Sequence, residues 1–444
     1  MGGAASRRRV NATPRRAPDL RHGRNASSDE GMRDMSNLVS KLTIAALLAG
    51  AASLAHAAPG NGIRLGGSEG RLHPFVELEG RYDSNVYVGA TNNTEAGDVI
   101  IHVRPGLSLV VPGDMTSVEL TAKLDIAQYL GNSDTATKDL SKLYAEAELG
   151  VSVNKKGVVA LEVNDAFRRS DRPEALSLNT GVISNFNLFE AKLPIRPGGG
   201  ALTLNLNGAW ALETYESLFK GGFTCDPAVG GAACDPALLS KLGYSEVRGG
   251  AGVAWKFLPR TSALLEGSYF KRLPNDTTLA ADPAGYRISA GVSGLVTPHV
   301  AATVKAGYGS TTGVTPSLGT WLAAVEGEWM PSETTSVKLG YSHDLAVDPV
   351  ALYATNRVSL SARQLVAGRV ALGLTGSWDQ LAYSPGSETT TILRASPSVG
   401  VDVTRWLKAE LAYAYTDRSS STGAVAVVRD YTKSEVWLKA VATY

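Results

Sequence analysis

From residue 73 to the end, apolar and polar side chains alternate at every second position. In 73–88, Val76, Leu78, Gly80, Tyr82 and Val86 fall on one parity, and Glu77, Glu79, Arg81, Asp83 and Asn85 on the other. Successive side chains of a strand point to opposite faces, so this period of two predicts a strand with one apolar and one charged face. In 115–130, Val118, Leu120, Ala122, Leu124 and Ile126 oppose Glu119, Thr121, Lys123 and Asp125. In 143–153, Leu143, Ala145, Ala147, Leu149 and Val151 oppose Tyr144, Glu146, Glu148 and Ser152. In 202–212, Leu202, Leu204, Leu206, Trp210 and Leu212 oppose Thr203, Asn205 and Asn207. Eighteen such segments lie near 73–88, 98–111, 115–130, 139–154, 158–170, 184–196, 201–214, 243–257, 261–271, 285–297, 299–310, 318–330, 334–344, 353–364, 368–380, 390–403, 406–417 and 430–444. No segment of helical period intervenes.

The connections alternate as well. One set is tight and rich in turn formers, such as Pro112-Gly113-Asp114, Pro259-Arg260 and Ala367-Gly368. The other set is longer, as at 89–97, 171–183, 215–242 and 418–429. Short turns on one side and long loops on the other belong to an antiparallel up-and-down barrel that spans a membrane, with the turns on the periplasmic side. An even strand number puts both termini on that side. A soluble sandwich has no reason to order its connections so, and its strands average ~5–6 residues. These segments run about 11 to 16, enough to cross a bilayer at a tilt. The predicted fold is therefore all-β: a transmembrane barrel of about 18 strands.

Aromatic positions fit this reading. Trp255, Phe257, Trp329 and Trp406 sit beside tight turns. Tyr82, Tyr87, Tyr129, Tyr215, Tyr269, Tyr308, Tyr341, Tyr383 and Tyr415 sit toward the opposite strand ends. Amphipathic rings at both ends of lipid-facing strands form the two interfacial girdles, and an aromatic core is not expected inside. Side chains do not fill a barrel of this size, so a watered lumen is expected unless a loop plugs it. Candidate pore-lining residues in the first strands are Glu77, Glu79, Arg81, Asp83, Glu119, Lys123, Asp125, Glu146 and Glu148. In later strands they are Arg248, Lys256, Arg287, Lys305, Lys338, Arg357, Arg363, Arg369 and Arg394. The first set is mainly acidic and the second basic. The expectation is an acidic wall facing a basic wall, with a field across the pore that guides polar solutes. The alternative is lumen charges paired across strands.

The first 57 residues stand apart. Residues 1–34 hold eight Arg, from Arg7 to Arg33, and read as an over-extended gene start before Met35. Residues 35–57 read as a secretory signal peptide: Lys41, an apolar run from Leu42 to Leu54, then Ala55-His56-Ala57, with cleavage after Ala57. Residues 58–72 form a short periplasmic segment ahead of the barrel at 73–444. Composition now reads differently. The formal charge of +1 averages a leader of +5 with an exported chain of −4, which gives no case for nucleic acid. The two cysteines, Cys225 and Cys234, lie in the longest loop and outside the cell, where a disulfide is expected. His73, His102, His299 and His343 are not in metal-ligand spacing. His343-Asp344 has no flanking pattern of a hydrolytic site, so neither enzyme nor cofactor is expected.

Tyr444 ends the chain, and Ala442, Ala440, Leu438 and Val436 share its parity. This resembles the terminal aromatic signal that the outer-membrane barrel assembly machinery recognises, although such barrels usually end in Phe. The stretch Tyr82-Asp83-Ser84-Asn85-Val86 resembles the motif that opens the outer-membrane β-barrel porins linked to exopolysaccharide and capsule loci, among them the 18-stranded polysaccharide-secretion porins of myxobacteria. The resemblance implies export of a polysaccharide across the outer membrane with a periplasmic polysaccharide co-export protein as partner. Read from the residues alone, Asp83 and Asn85 face inward near a loop, where they either cap the strand end or bind a sugar. A passive-diffusion porin and a loop-plugged structural or adhesive barrel remain the other expectations.

Overall fold

The structure, a computed structural model, describes residues 60–66, 69–86, 97–131, 141–171, 182–217, 239–278, 282–313, 317–347, 352–384, 388–421 and 430–444. The leader with its cleavage position at Ala57, Tyr87, and the cysteines Cys225 and Cys234 lie outside the described residues. A two-residue strand, β1 (Ile63–Arg64), precedes eighteen long ones. They are β2 (Arg71–Asp83), β3 (Asp98–Val111), β4 (Thr116–Tyr129), β5 (Lys142–Val153), β6 (Leu161–Ser170), β7 (Val182–Ile195), β8 (Leu202–Ser217), β9 (Tyr244–Leu258) and β10 (Thr261–Pro274). There follow β11 (Ala284–Thr297), β12 (Val300–Thr312), β13 (Leu318–Ser332), β14 (Thr335–Val347), β15 (Leu352–Val366), β16 (Val370–Ser384), β17 (Thr389–Asp402), β18 (Leu407–Ser420) and β19 (Tyr431–Thr443).

From β2 onward each strand pairs antiparallel with the next, and β19 returns to β2, with Thr443 opposite Phe75 and Glu435 opposite Asp83. The sheet closes, so no long edge is left to recruit another chain. Each predicted segment coincides with one strand, with ends displaced by a few residues. β1 has no alternation to announce it: Ile63 pairs with Leu72 and Arg64 with Arg71, below the point where β19 ends. The Tyr444 amide donates to the Pro74 carbonyl at 3.0 Å, so the last residue still belongs to the closing ladder.

The outer face is apolar and exposed: Leu78, Leu143, Leu339 and Leu438 are each more than half accessible. An apolar surface all around a closed sheet has no stable partner in water, and lipid is its solvent. Trp255, Trp329 and Trp406 stand on this face near the turns, and Tyr82, Tyr269 and Tyr308 near the loops. Three girdle assignments are corrected. Tyr129, Tyr215 and Tyr383 have the inward parity, sharing it with Asp125, Glu213 and Asp379 on their own strands, and Tyr129 and Tyr215 are buried.

Two local features show how the sequence sets the hairpins. Between β15 and β16, the Arg369 amide donates to the Val366 carbonyl at 3.2 Å, and Ala367 and Gly368 both have positive φ, 50° and 68°. That is the left-handed two-residue turn whose twist matches antiparallel strands. In β3, the pairing with β4 skips Arg104 and Pro105 and resumes in register, Val103 with Ile126 and Gly106 with Lys123. Pro105 has no N–H to give, yet it is still matched to Val76 of β2 on its other side.

Candidate functional site: the charged interior of the barrel

Inward positions follow from strand parity, and burial confirms it. In β2, His73, Glu79 and Asp83 are buried, while Val76, Leu78 and Tyr82 are exposed on the outside. Glu77, Arg81, Glu119, Lys123, Asp125, Glu146 and Glu148 share the inward parity of their strands. So do Arg248, Lys256, Arg287, Lys305, Lys338, Arg357, Arg363 and Arg394. Arg369 does not belong to this set. It ends the β15–β16 turn, outside both strands.

The charges meet along the wall, within a strand or between strands one to three places apart, as Arg287 of β11 does with Asp344 of β14. On the β2–β4 wall, Arg104 is held by Glu77, by Glu79 at 2.8 Å and, through Nε, by Asp125 at 2.9 Å. The His102 Nδ1 lies 2.8 Å from the same Asp125. Arg81 bonds Glu79 at 2.6 Å and reaches Glu435 of β19 at 3.3 Å. Lys123 pairs with Glu146 at 2.9 Å. On the opposite side of the chain, Glu246 joins Arg248 and, at 2.8 Å, Arg272, whose guanidinium lies 3.9 Å from the centre of the Tyr244 ring. Lys305 pairs with Glu266 at 3.0 Å, Arg287 with Asp344 at 3.2 Å, and Lys338 with Glu328 at 3.5 Å. Asp379, fully buried, takes both Arg357 and, at 2.8 Å, Arg394.

This corrects the expectation of two opposed walls. Arg104 offsets the acidic side from within it, with His102 hydrogen-bonded to Asp125 beside it, and Asp344, Asp379 and Glu246 offset the basic side. Ion pairs a few ångströms apart cancel at distances beyond a Debye length, so local dipoles replace a field across the pore. The sequence reading missed these five partners. Parity alone identifies them, since each falls on the inward phase of its strand, but which charges meet depends on register across three strands.

The interior is not polar throughout. Phe186, Leu188 and Ala211 form one buried inward cluster. Ala346, Tyr353, Leu381 and Ile392 form another, with Tyr383 packed against it. Phe270 lies across Gly285, where an added Cβ would sit 2.5 Å from the ring. Aromatic side chains therefore do occupy the inside, lying along the wall over glycines and small residues instead of filling a central core. Among the described residues, Lys256 and Arg363 are lumen-facing, exposed and without a carboxylate partner; both sit at the turn end.

The motif Tyr82-Asp83-Ser84-Asn85-Val86 ends β2 at the seam with β19. Asp83 accepts the Asn85 amide N–H at 2.9 Å and pairs with Lys433 at 2.6 Å. The Asn85 side chain donates to the Thr432 carbonyl at 3.2 Å, and the Ser434 amide donates to the Ser84 hydroxyl at 2.8 Å. Asp83 and Asn85 are both buried. These side chains cap the strand and fasten the first long strand to the last.

A closed eighteen-strand barrel, apolar outside and charged inside, is a membrane-spanning porin-type barrel. The family described as "Putative beta-barrel porin 2" matches residues 60–444, and the chain belongs to that family. No curated protein matches the sequence. Similar solved structures include OccAB3 of Acinetobacter baumannii, 10% identical, covering 84% of this chain and 99% of that one, with a TM-score of 0.44. The outer membrane protein OpdK of Pseudomonas aeruginosa is 11% identical, covers 84% and 99%, and has a TM-score of 0.43. The siderophore receptor PirA of the same organism is 8% identical, covers 84% and 80%, and has a TM-score of 0.43.

Proposed function

We propose that the protein is an outer-membrane export pore for a secreted polysaccharide. The observation that carries this reading is the character of the lumen wall: strongly charged, yet with its charges tied to neighbours. A polyhydroxylated chain meets donors and acceptors at every step, while most charges in the middle of the wall are already held by a neighbour, Glu148 being an exception among the described residues. The resemblance of Tyr82-Asp83-Ser84-Asn85-Val86 to polysaccharide-linked porins supports the same substrate class. That support is independent of the motif's contacts, which go to the barrel's own seam. Glu77, Glu79, Arg81, Lys123, Arg287, Lys305, Arg357 and Arg394 line the path. A periplasmic polysaccharide co-export protein would deliver the polymer to the turn end, and the barrel assembly machinery would insert the chain, with Tyr444 as its signal.

The test is a clean deletion. A strain without this protein should retain polymer in the periplasm and lose it from the surface, and the cloned chain should restore it. Normal secretion in the deletion strain would overturn the reading.

A further inference from the structure

The turn end and the loop end of the barrel differ in how their charges are matched. At the turn end, Lys155, Lys256, Arg260, Arg363, Arg369 and Arg405 are exposed. Among the described residues none of these six has a carboxylate within ion-pair distance. They come from the turns β5–β6, β9–β10, β15–β16 and β17–β18 and from strand residues beside them, so they are distributed around the mouth. The unpartnered carboxylates there are fewer: Glu69, Glu119 and Glu333. At the loop end, the cations among the described residues are mostly matched. Arg169 pairs with Glu216 at 2.8 Å, Lys271 with Asp282 at 2.8 Å and Lys433 with Asp83 at 2.6 Å, and Lys142 is an exception. The surplus at that end is acidic: Asp171, Asp417 and Asp430 have no cation within ion-pair distance among the described residues.

We infer that the turn-end mouth is a capture surface for an anionic polymer, so that the exported polysaccharide carries carboxylate or phosphate groups. This rests on the export reading above and names the chemistry of its substrate. Unmatched guanidinium and ammonium groups around an aqueous opening raise the local concentration of polyanions, and the effect falls with salt. Lys256 and Arg363 decide between two anionic sources. Both have the lumen-facing parity, shared with Arg248 and Arg357, so they line the opening rather than the lipid collar. A phospholipid headgroup would meet outward side chains, and on these two strands the outward neighbours near the turn are Trp255, Phe257 and Val366. The acidic loop end repels polyanions outside and disfavours their return.

The experiment is a planar bilayer recording on the full chain, with orientation reported by streptavidin bound to a biotin on the β11–β12 turn. Oligogalacturonate and neutral dextran of equal length are added to each side in turn. The expected result is that oligogalacturonate interrupts the current from the turn side at a concentration tenfold or more below that needed from the loop side. The preference should vanish in molar salt and in the K256E/R363E/R369E variant, which still conducts and still admits dextran. If dextran enters but oligogalacturonate shows no sidedness, the anionic substrate is overturned and the export reading stands. If neither glycan touches the current, the export reading falls and this inference with it. If the preference appears only in bilayers containing phosphatidylglycerol, the basic mouth serves lipid headgroups and the capture role is overturned.

Discussion

At the scale of single residues, Ala367 and Asp379 show opposite kinds of constraint. Ala367 has a φ of 50°, a conformation that costs an L-residue with a Cβ roughly 1 kcal/mol or more. Glycine would remove that cost but would add freedom to the unfolded chain, about 0.5–1 kcal/mol in the other direction. Asparagine tolerates the left-handed region and makes the Asn-Gly pair that this turn prefers. Ala367→Asn should therefore stabilise the barrel by about 0.5–1 kcal/mol, seen as a higher urea midpoint in lipid vesicles. Asp379 is fully buried and serves both Arg357 and Arg394. Asp379→Ala leaves two guanidinium groups facing each other and should destabilise by about 2–3 kcal/mol, less than a dry site would because lumen water reaches Arg394. The same variant should shift the pore toward anion preference, measured as a reversal potential in a salt gradient. Tyr129, Tyr215 and Tyr383 mark what residue-level reading could have found and did not. Tyr215 has the parity of Thr203, Asn205 and Asn207, already assigned to the inside. Phase along the strand, more than nearness to a strand end, sets which face such a ring takes.

At the scale of elements, the strands were legible because each must satisfy two solvents at once, and a period of two is how a sheet does that. Their ends were less so. β8 runs on to Ser217 and β10 to Pro274, past the last clear alternation, because neighbouring strands there still offer backbone partners. β1 is only two residues long and exists because β2 begins below the reach of β19. Pro105 and Pro397 sit inside strands, and in each case the ladder is interrupted on one side only. The seam between β2 and β19 is the pairing of longest sequence separation, so closure cost falls on it. Asp83 and Asn85 secure its loop end. The double variant D83A/N85A loses two side-chain contacts to β19 at roughly 1 kcal/mol each. It should lower the temperature at which the folded band is lost on SDS gels, while single-channel conductance stays near the parent value. Unchanged heat stability would show that the backbone ladder alone holds the seam.

At the scale of the whole molecule, eighteen strands, their order and the two kinds of connection could be read from the chain, since alternation and turn chemistry are local. The arrangement of charge could not. Many charges of the acidic and basic sets predicted to face each other are instead paired at home, around Arg104 on one side and Asp379 on the other. What survives this cancellation among the described residues is a difference along the axis, between unmatched cations at the turns and unmatched carboxylates at the loop end. Such a pore has two regions of opposite ion preference in series. A voltage that drives small cations inward from the loops and small anions outward from the turns fills both regions with carriers, and the reverse voltage empties them. The barrel should then behave as an ionic diode. In symmetric dilute salt its current should be larger when positive charge flows from the loop side to the turn side, and the asymmetry should fade as salt screens the two ends.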